Sequence, residues 1–474
     1  MTTIFTDLRS LVIVLVGLVT MAAIFVVVAI AAIRLRIPPR SRLKIGSADR
    51  TDGIILGKTY EKRVVYSPSS AEGHVAVFGT TGSGKSSALV KPTLLHWCGG
   101  AFIIDIGSGL IEDTATQDDI IFNPLSLKTV PFNVLDEVDC LNDDGEKIRA
   151  LKEMASSIIP VNLKAEEKDS FYPRGAQHIL EAVLIAGYFK GLDFCDICSW
   201  MSTASDYRAL FNEIDELGFG KYLDFVKEEE PKYIGAFLSL CRTKVKIFVE
   251  DERVCNAIRR PRGNERDIIP ADMEEAKIFV YLKDSDLEYL SPVLSLLTGR
   301  ILKYISVRSL DINTPILVML DEFSSLGVLD ITPTLRKARK RHCRVMIATQ
   351  SVADIDLVYG EPMRKAMMDN FELICVLEVH DPDTQQYFSR MVGKRTGIRV
   401  STAEDGFSGR KTYNETDVDA VEPTQLGKLD DSLLVIHRAG YCFLQRNYLH
   451  ARQTHWLAEA RNFYHLYQLN RSNK

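Results

Sequence analysis

No excess of basic charge marks this chain of 474 residues: 58 Lys and Arg stand against 63 Asp and Glu, a net charge of −5. That excludes a protein coated all over with positive charge for blanketing nucleic acid, though not one with a local basic channel. A cysteine framework is missing too. The nine cysteines are odd in number and scattered, and Cys195-x-x-Cys198 has no second close pair within reach of a zinc site. In Phe194-Cys195-Asp196-Ile197-Cys198 it reads as helix or loop surface rather than as a metal or redox centre, and thiols dispersed in this way fit a reducing cytosol. No internal repeat is present, which excludes an array of stacked units. What remains is ordinary for globular proteins: 46% hydrophobic and 26% charged residues, enough to bury a core, over a length that suggests two or three domains.

One stretch lacks charge entirely. Leu11 to Ile33 is apolar but for Gly17 and Thr20, long enough to cross a bilayer core of about 30 Å as a helix. It exceeds the apolar region of a cleavable signal peptide, and the first ten residues carry only Asp7 and Arg9. Arg34, Arg36, Arg40, Arg42 and Lys44 follow it, so the positive-inside rule puts the N-terminus outside and the rest in the cytoplasm. The expectation is a single-pass anchor in the cytoplasmic membrane: residues 1–10 outside, 11–33 spanning, 34–52 a basic tether.

The most informative segment is Gly79-Thr80-Thr81-Gly82-Ser83-Gly84-Lys85-Ser86, which follows the apolar run Val75-Ala76-Val77-Phe78. It matches G-x-x-x-x-G-K-[ST]. Glycines at this spacing let the backbone wrap a phosphate with its N–H groups inward, at φ values a Cβ would penalise. Lys85 then reaches the β- and γ-phosphates, and the Ser86 hydroxyl is placed to ligate Mg2+. The helix beginning there adds its positive dipole end. The candidate nucleotide-binding residues are Gly79 to Ser86 together with Ser87, and the cofactors implied are ATP and Mg2+.

Around that motif, Ile54–Gly57 and Arg63–Tyr66 read as a small hairpin, and Ala101–Asp105 as a buried strand ending in a carboxylate. From about Asp139 to Asp267 the apolar residues fall at helical spacing (Ile148, Leu151, Met154, Ile158; Ile179, Val183), which reads as a helical insertion. Strand-like runs return at 276–281, 316–320, 344–348 and 373–377, and alternation with helices implies a parallel sheet covered on both faces. Leu433–His437 and Tyr441–Leu444 read as a last hairpin, the polar stretch 397–420 as a mobile loop, and the tail after 446 as a single helix.

Ile316-Leu317-Val318-Met319-Leu320-Asp321-Glu322 is the expected partner of the phosphate loop, a buried strand ending in two acids. Asp321 is the candidate for holding Mg2+ through water, and Glu322 for orienting the attacking water; binding alone needs only the first. Thr349-Gln350 ends the next strand, where a polar side chain can sit beside the γ-phosphate. Arg336-Lys337-Ala338-Arg339-Lys340-Arg341 leaves three readings open: a solvated helix face, an arginine finger for a neighbouring site, or a phosphate-contacting surface in a nucleic-acid channel.

These residues together resemble one family: the type IV secretion coupling proteins of the TraG/TraD type, within the FtsK/HerA group of RecA-like motor ATPases. Besides the phosphate loop, the likeness rests on Lys91-Pro92-Thr93-Leu94-Leu95, Phe122-Asn123-Pro124, Phe132-Asn133-Val134-Leu135, Leu320-Asp321-Glu322-Phe323, Leu326-Gly327, Ala348-Thr349-Gln350-Ser351, Asn370, Gly393-Lys394-Arg395-Thr396 and Pro423. The resemblance implies an α/β fold: a RecA-like P-loop NTPase domain (53–138 and 268–446) with a parallel central sheet, an inserted all-α domain (139–267), an N-terminal transmembrane helix and a C-terminal helix (447–474). It further implies ATPase roles for Lys85, Ser86, Asp321, Glu322 and Gln350, with Arg339 as the finger. The implied partners are further copies in a hexamer, DNA, a relaxase or other secreted protein, the type IV secretion channel and the membrane.

Three departures qualify the likeness. The family usually carries two membrane helices, whereas this chain shows one. Asp105-Ile106-Gly107-Ser108-Gly109 keeps the acid of the family's D-x-K-G-E pattern without its Lys and Glu. The sequence ends at Lys474 with no long acidic extension of the kind some members use for docking. The function expected is a membrane-anchored coupling ATPase that passes DNA–protein or protein substrates to a secretion or conjugation channel. The alternatives are a DNA translocase not tied to secretion, and a membrane receptor that binds ATP without turning it over.

Overall fold

The computed structural model describes residues 43–46, 53–67, 73–107, 109–161, 167–329, 331–403 and 410–448. The anticipated membrane anchor, most of the basic tether and all but the first two residues of the anticipated C-terminal helix lie outside these residues; those two, Asn447 and Tyr448, are not helical.

A sheet of twelve strands organises the chain. Seven of them, β4 (His74–Phe78), β5 (Gly100–Ile106), β6 (Ile120–Phe122), β7 (Lys277–Leu282), β8 (Ile316–Leu320), β9 (Cys343–Thr349) and β10 (Phe371–Val376), run parallel in the order β10-β4-β9-β8-β5-β7-β6. Their sequences are near-continuous apolar runs because both faces are covered. Alternate side chains divide between the two faces. Ala76, Phe78, Phe102, Ile104, Val318 and Ile347 join one cluster. Val75, Val77, Ile103, Leu317, Met319 and Met346 join the other, with Leu89, Val90 and Leu94 from the helical segment after the phosphate loop. Beside β10 the sheet turns antiparallel through the hairpin β13 (Ser432–His437) and β14 (Gly440–Gln445), then β2 (Ile55–Lys58), β3 (Val64–Tyr66) and β1 (Lys44–Gly46).

Between Asp136 and Ile258 every described element is helical. The two ends of this segment meet at its base. Ile268 N–H donates to the Pro131 carbonyl at 2.7 Å, and Asn133 N–H donates to the Ile268 carbonyl at 3.1 Å. The apolar residues at helical spacing, Leu151, Met154, Ile158, Ile179 and Val183, are buried and share a cluster with one face of the sheet. Leu287–Val307, the described helix long and apolar enough to cross a membrane, is instead packed inside: Val293, Leu297, Ile301 and Ile305 are all buried.

Two expectations are corrected. The stretch read as a loop, 397–420, lies mostly in a two-stranded antiparallel ribbon, β11 (Lys394–Ala403) with β12 (Arg410–Asp419), held by ten facing residue pairs from Lys394↔Asp419 to Ala403↔Arg410. This ribbon pairs only with itself, so it carries no apolar run of the kind that marks a core strand. Cys195 and Cys198 sit in the helix Phe194–Thr203, and Cys198 is fully buried rather than on the surface.

Candidate functional site

The phosphate loop leaves the carboxyl end of β4, and the acids of β8 leave the same end two strands away, with β9 between them. This is the arrangement in which open parallel sheets form a crevice at their strand ends. Gly82 and Gly84 have φ of 78° and 89°, the left-handed region where a Cβ is strained. Gly79 N–H donates to the Thr349 carbonyl at 3.2 Å, and Thr80 donates to the Glu378 carbonyl from its N–H at 2.8 Å and its hydroxyl at 3.1 Å. The loop is thus anchored to the ends of both strands that flank β4.

Into this corner the fold brings five of the anticipated residues. Lys85, 6% exposed, donates from Nζ to the Gly79 carbonyl at 2.8 Å and lies 3.6 Å from Glu322 Oε1. The Ser86 hydroxyl donates to Asp321 Oδ2 at 3.3 Å. Gln350 Nε2 donates to Glu322 Oε2 at 3.4 Å. Ser87 turns its hydroxyl to the Gly84 carbonyl at 3.4 Å. Thr81 is exposed at the tip of the loop. Glu322 occupies φ 45°, ψ 48°, a conformation that costs a non-glycine residue about 1–2 kcal/mol and that places its carboxylate between Lys85 and Gln350.

Asp321 is buried, and burial, seconded by the charge of Glu322, pushes its carboxyl up to about 6 against the pull of Lys85, the Glu322 N–H and the Ser86 hydroxyl. A carboxylate held in such surroundings beside a serine hydroxyl is a hard oxygen donor set suited to Mg2+. The buried Ser83 hydroxyl has no hydrogen-bond partner among the described residues, a polar group left for an anion to satisfy. The residues present therefore fit a nucleotide with its Mg2+, held by the loop backbone, Lys85, Ser86 and Asp321.

Arg339 is not in this corner. It is exposed, follows the helix Thr332–Ala338 and precedes β9. Its charge acts on His74, which burial first of all lowers to about 4, and on Glu372, which His437 chiefly lowers. His74 begins β4 and Glu372 lies at the start of β10, so Arg339 stands at the end of the sheet opposite the loop, about 15 Å along β4. Two residues at the site escaped sequence reasoning: Arg446 and Tyr448, just past β14, touch the phosphate loop. Arg446 Nη1 donates to the Ser83 carbonyl at 2.8 Å across 363 positions, and nothing local marks it.

The altered segment begins inside β5, at Asp105. Asp105 Oδ2 accepts from Leu110 N at 3.0 Å and Ile111 N at 3.1 Å, and Gly107 and Gly109 take left-handed φ of 59° and 66°. The acid closes the turn into the next helix, and Lys91 pairs with Asp113 beside it.

Comparison with known proteins fits this geometry. A family model described as type IV secretory system conjugative DNA transfer matches residues 34–204, and one described as the TraM recognition site of TraD and TraG matches residues 315–431. The conjugal transfer protein TraG of Rhizobium radiobacter is 23% identical over 361 residues, covering 70% of this chain and 54% of that protein. Protein VirD4 of Agrobacterium fabrum is 22% identical over 416 residues, 83% of this chain and 61% of that one. The chain thus spans little more than half the length of these curated relatives. The solved structure of plasmid coupling protein TrwB in complex with ADP and Mg2+ superposes with a TM-score of 0.67 at 17% identity, over 87% of this chain and 91% of that one. TrwB in complex with a non-hydrolysable ATP analogue gives 0.68 at 18% identity, over 87% and 92%. The fold is RecA-like α/β.

Proposed function

We propose that the chain, similar in its family models and its fold to type IV secretion coupling proteins of the TraG/TraD type, is a membrane-anchored coupling ATPase that delivers DNA–protein or protein substrates to a conjugation or secretion channel. The observation that carries the ATPase reading is the convergence of Lys85, Ser86, Asp321, Glu322 and Gln350 on one strand-end corner.

The chemistry follows from those positions. The loop N–H groups and Lys85 bind and orient the β- and γ-phosphates. Glu322, held between Lys85 and Gln350, orients a water for in-line attack on the γ-phosphorus, with ADP leaving on the opposite side. Mg2+, when bound, neutralises charge developing on the transferring group. Gln350 couples the position of Glu322 to the end of β9. Arg339 is too far from its own protomer's site to serve it, so it is assigned to the site of a neighbour in a ring, six being the family's number. Residues 139–267 form the substrate-facing all-α domain, and residues 11–33 the anchor.

The test is ATP hydrolysis by the full-length protein in detergent, with and without single-stranded DNA. Glu322→Gln should retain ATP binding while turnover drops by roughly a hundredfold or more, and Lys85→Ala should lose both. Turnover unchanged in Glu322→Gln would sink the hydrolytic reading.

A further inference from the structure

Past Gln445 the chain leaves β14, and Arg446 and Tyr448 lie against the phosphate loop. Arg446 is 9% exposed and extends its guanidinium into three directions. Its Nη1 donates to the Ser83 carbonyl at 2.8 Å and to the Tyr448 hydroxyl at 2.9 Å, and its Nε donates to the Ser432 carbonyl at 3.1 Å. Its Nη2 is buried and has no hydrogen-bond partner among the described residues. The Tyr448 ring lies on Gly84, where an added Cβ would stand 3.0 Å from Cε1.

The consequence for the loop comes from the planarity of the peptide bond. In a trans peptide the C=O and the following N–H point to opposite sides. Arg446 therefore holds the Ser83 carbonyl on its own side and turns the Gly84 N–H the other way, a loop N–H of the kind that cradles phosphate. We propose that Arg446 and Tyr448 are positioning residues of the nucleotide site: Arg446 sets the orientation of the Ser83–Gly84 peptide, and Tyr448, tied to it through its hydroxyl, braces Gly84. This rests on reading the loop as a nucleotide site. Lysine cannot replace Arg446, because a single ammonium does not span acceptors on Ser83, Ser432 and Tyr448 with a fixed fork.

The experiment compares binding of ADP and of inorganic tripolyphosphate to the full-length protein in detergent. Arg446→Ala should weaken both by about tenfold or more, the loss of a charged hydrogen bond to the loop. Arg446→Lys should fall well short of full affinity, and Tyr448→Phe should cost about threefold. Guanidinium ion at low concentration should restore part of the affinity of Arg446→Ala and none of that of Lys85→Ala, a rescue that mere support of β14 would not produce. Arg446→Lys binding both ligands within about twofold of the unaltered protein would overturn the proposal, even if Arg446→Ala fails to fold. Failure of the unaltered protein to bind either ligand would remove the nucleotide-site reading itself.

Discussion

His74 Nε2 donates to the carbonyl oxygen of Leu335 at 2.7 Å, joining the first residue of the strand that carries the phosphate loop to the helix that leads to Arg339. The tautomer is set by the other nitrogen, since Nδ1 accepts the Val345 N–H at 3.0 Å. One buried neutral imidazole thus ties β4, β9 and the basic helix together at the end of the sheet far from the nucleotide corner.

This tie should make stability fall in acid. Burial, helped by the charges of Arg344 and Arg339 and opposed by the Leu335 bond and Glu372, lowers His74 from 6.5 to about 4. With the folded value depressed, the stability contributed by the neutral ring is fully present above about pH 6.5 and is lost as pH falls toward 4, a change of about 3 kcal/mol. Melting temperatures of the unaltered protein and of His74→Gln from pH 7.5 to 5 should converge as the pH falls, the variant showing the flatter profile. Parallel profiles would show that His74 does not titrate in this window.

Asp321 has the opposite sign. Its folded value, raised to about 6, means that its contribution to stability is fully present below about 3.8 and is lost as pH rises through 6. Asp321→Asn should therefore stabilise the nucleotide-free protein at pH 8 by about 1–3 kcal/mol while abolishing turnover. Because Asp321 is about half protonated at pH 6, binding of MgADP there should release roughly half a proton, visible as a binding enthalpy that depends on the buffer's own ionisation heat. The same enthalpy in MES and Bis-Tris, which both buffer at pH 6 but differ in ionisation heat, would contradict it.

Much of this corner was legible in the chain because its parts are local. A G-x-x-x-x-G-K-[ST] loop after a buried strand, and two acids after another, announce themselves by type and spacing, and the strands around them are unbroken apolar runs. Two things were not legible. The ribbon Lys394–Asp419 is held by its own backbone pairing, so its sequence has the polar texture of a loop. Arg446 and Tyr448 meet the loop only through the return of β14 alongside β2 and β13, a contact of tertiary origin between residues 363 positions apart. For Arg339 the residue type left three readings open and the resemblance offered a finger for a neighbouring site; the strand directions add its place, at the end of the sheet opposite its own loop.

The two left-handed glycines of the loop should respond differently to a methyl group. At Gly82 an added Cβ meets nothing within 4 Å, so Gly82→Ala carries only the cost of φ 78°, about 1–2 kcal/mol. At Gly84 the Cβ meets the Tyr448 ring at 3.0 Å in addition to φ 89°. ADP affinity should fall by about tenfold in Gly82→Ala and further in Gly84→Ala. Adding Tyr448→Ala to Gly84→Ala should then weaken binding less than it does in the unaltered protein. Additive losses would mean that the ring and the loop do not press on one another.

The placement of Arg339 yields the most discriminating prediction. If it completes a neighbour's site, Lys85→Ala and Arg339→Ala are each inactive for a different reason: one lacks a loop, the other lacks a finger to lend. Mixed in equal amounts and reassembled, they create interfaces in which an intact loop from the Arg339→Ala chain faces an intact arginine from the Lys85→Ala chain. Random assembly places such a pair at about one interface in four, so the mixture should recover up to roughly a quarter of normal turnover. An arginine acting on its own protomer's site would give no recovery, because no single chain in the mixture holds both groups. The distance along β4 already argues for the first outcome: with His74 beside Arg339 and Gly79 beginning the loop beyond Phe78, the whole strand separates the arginine from the phosphates of its own chain.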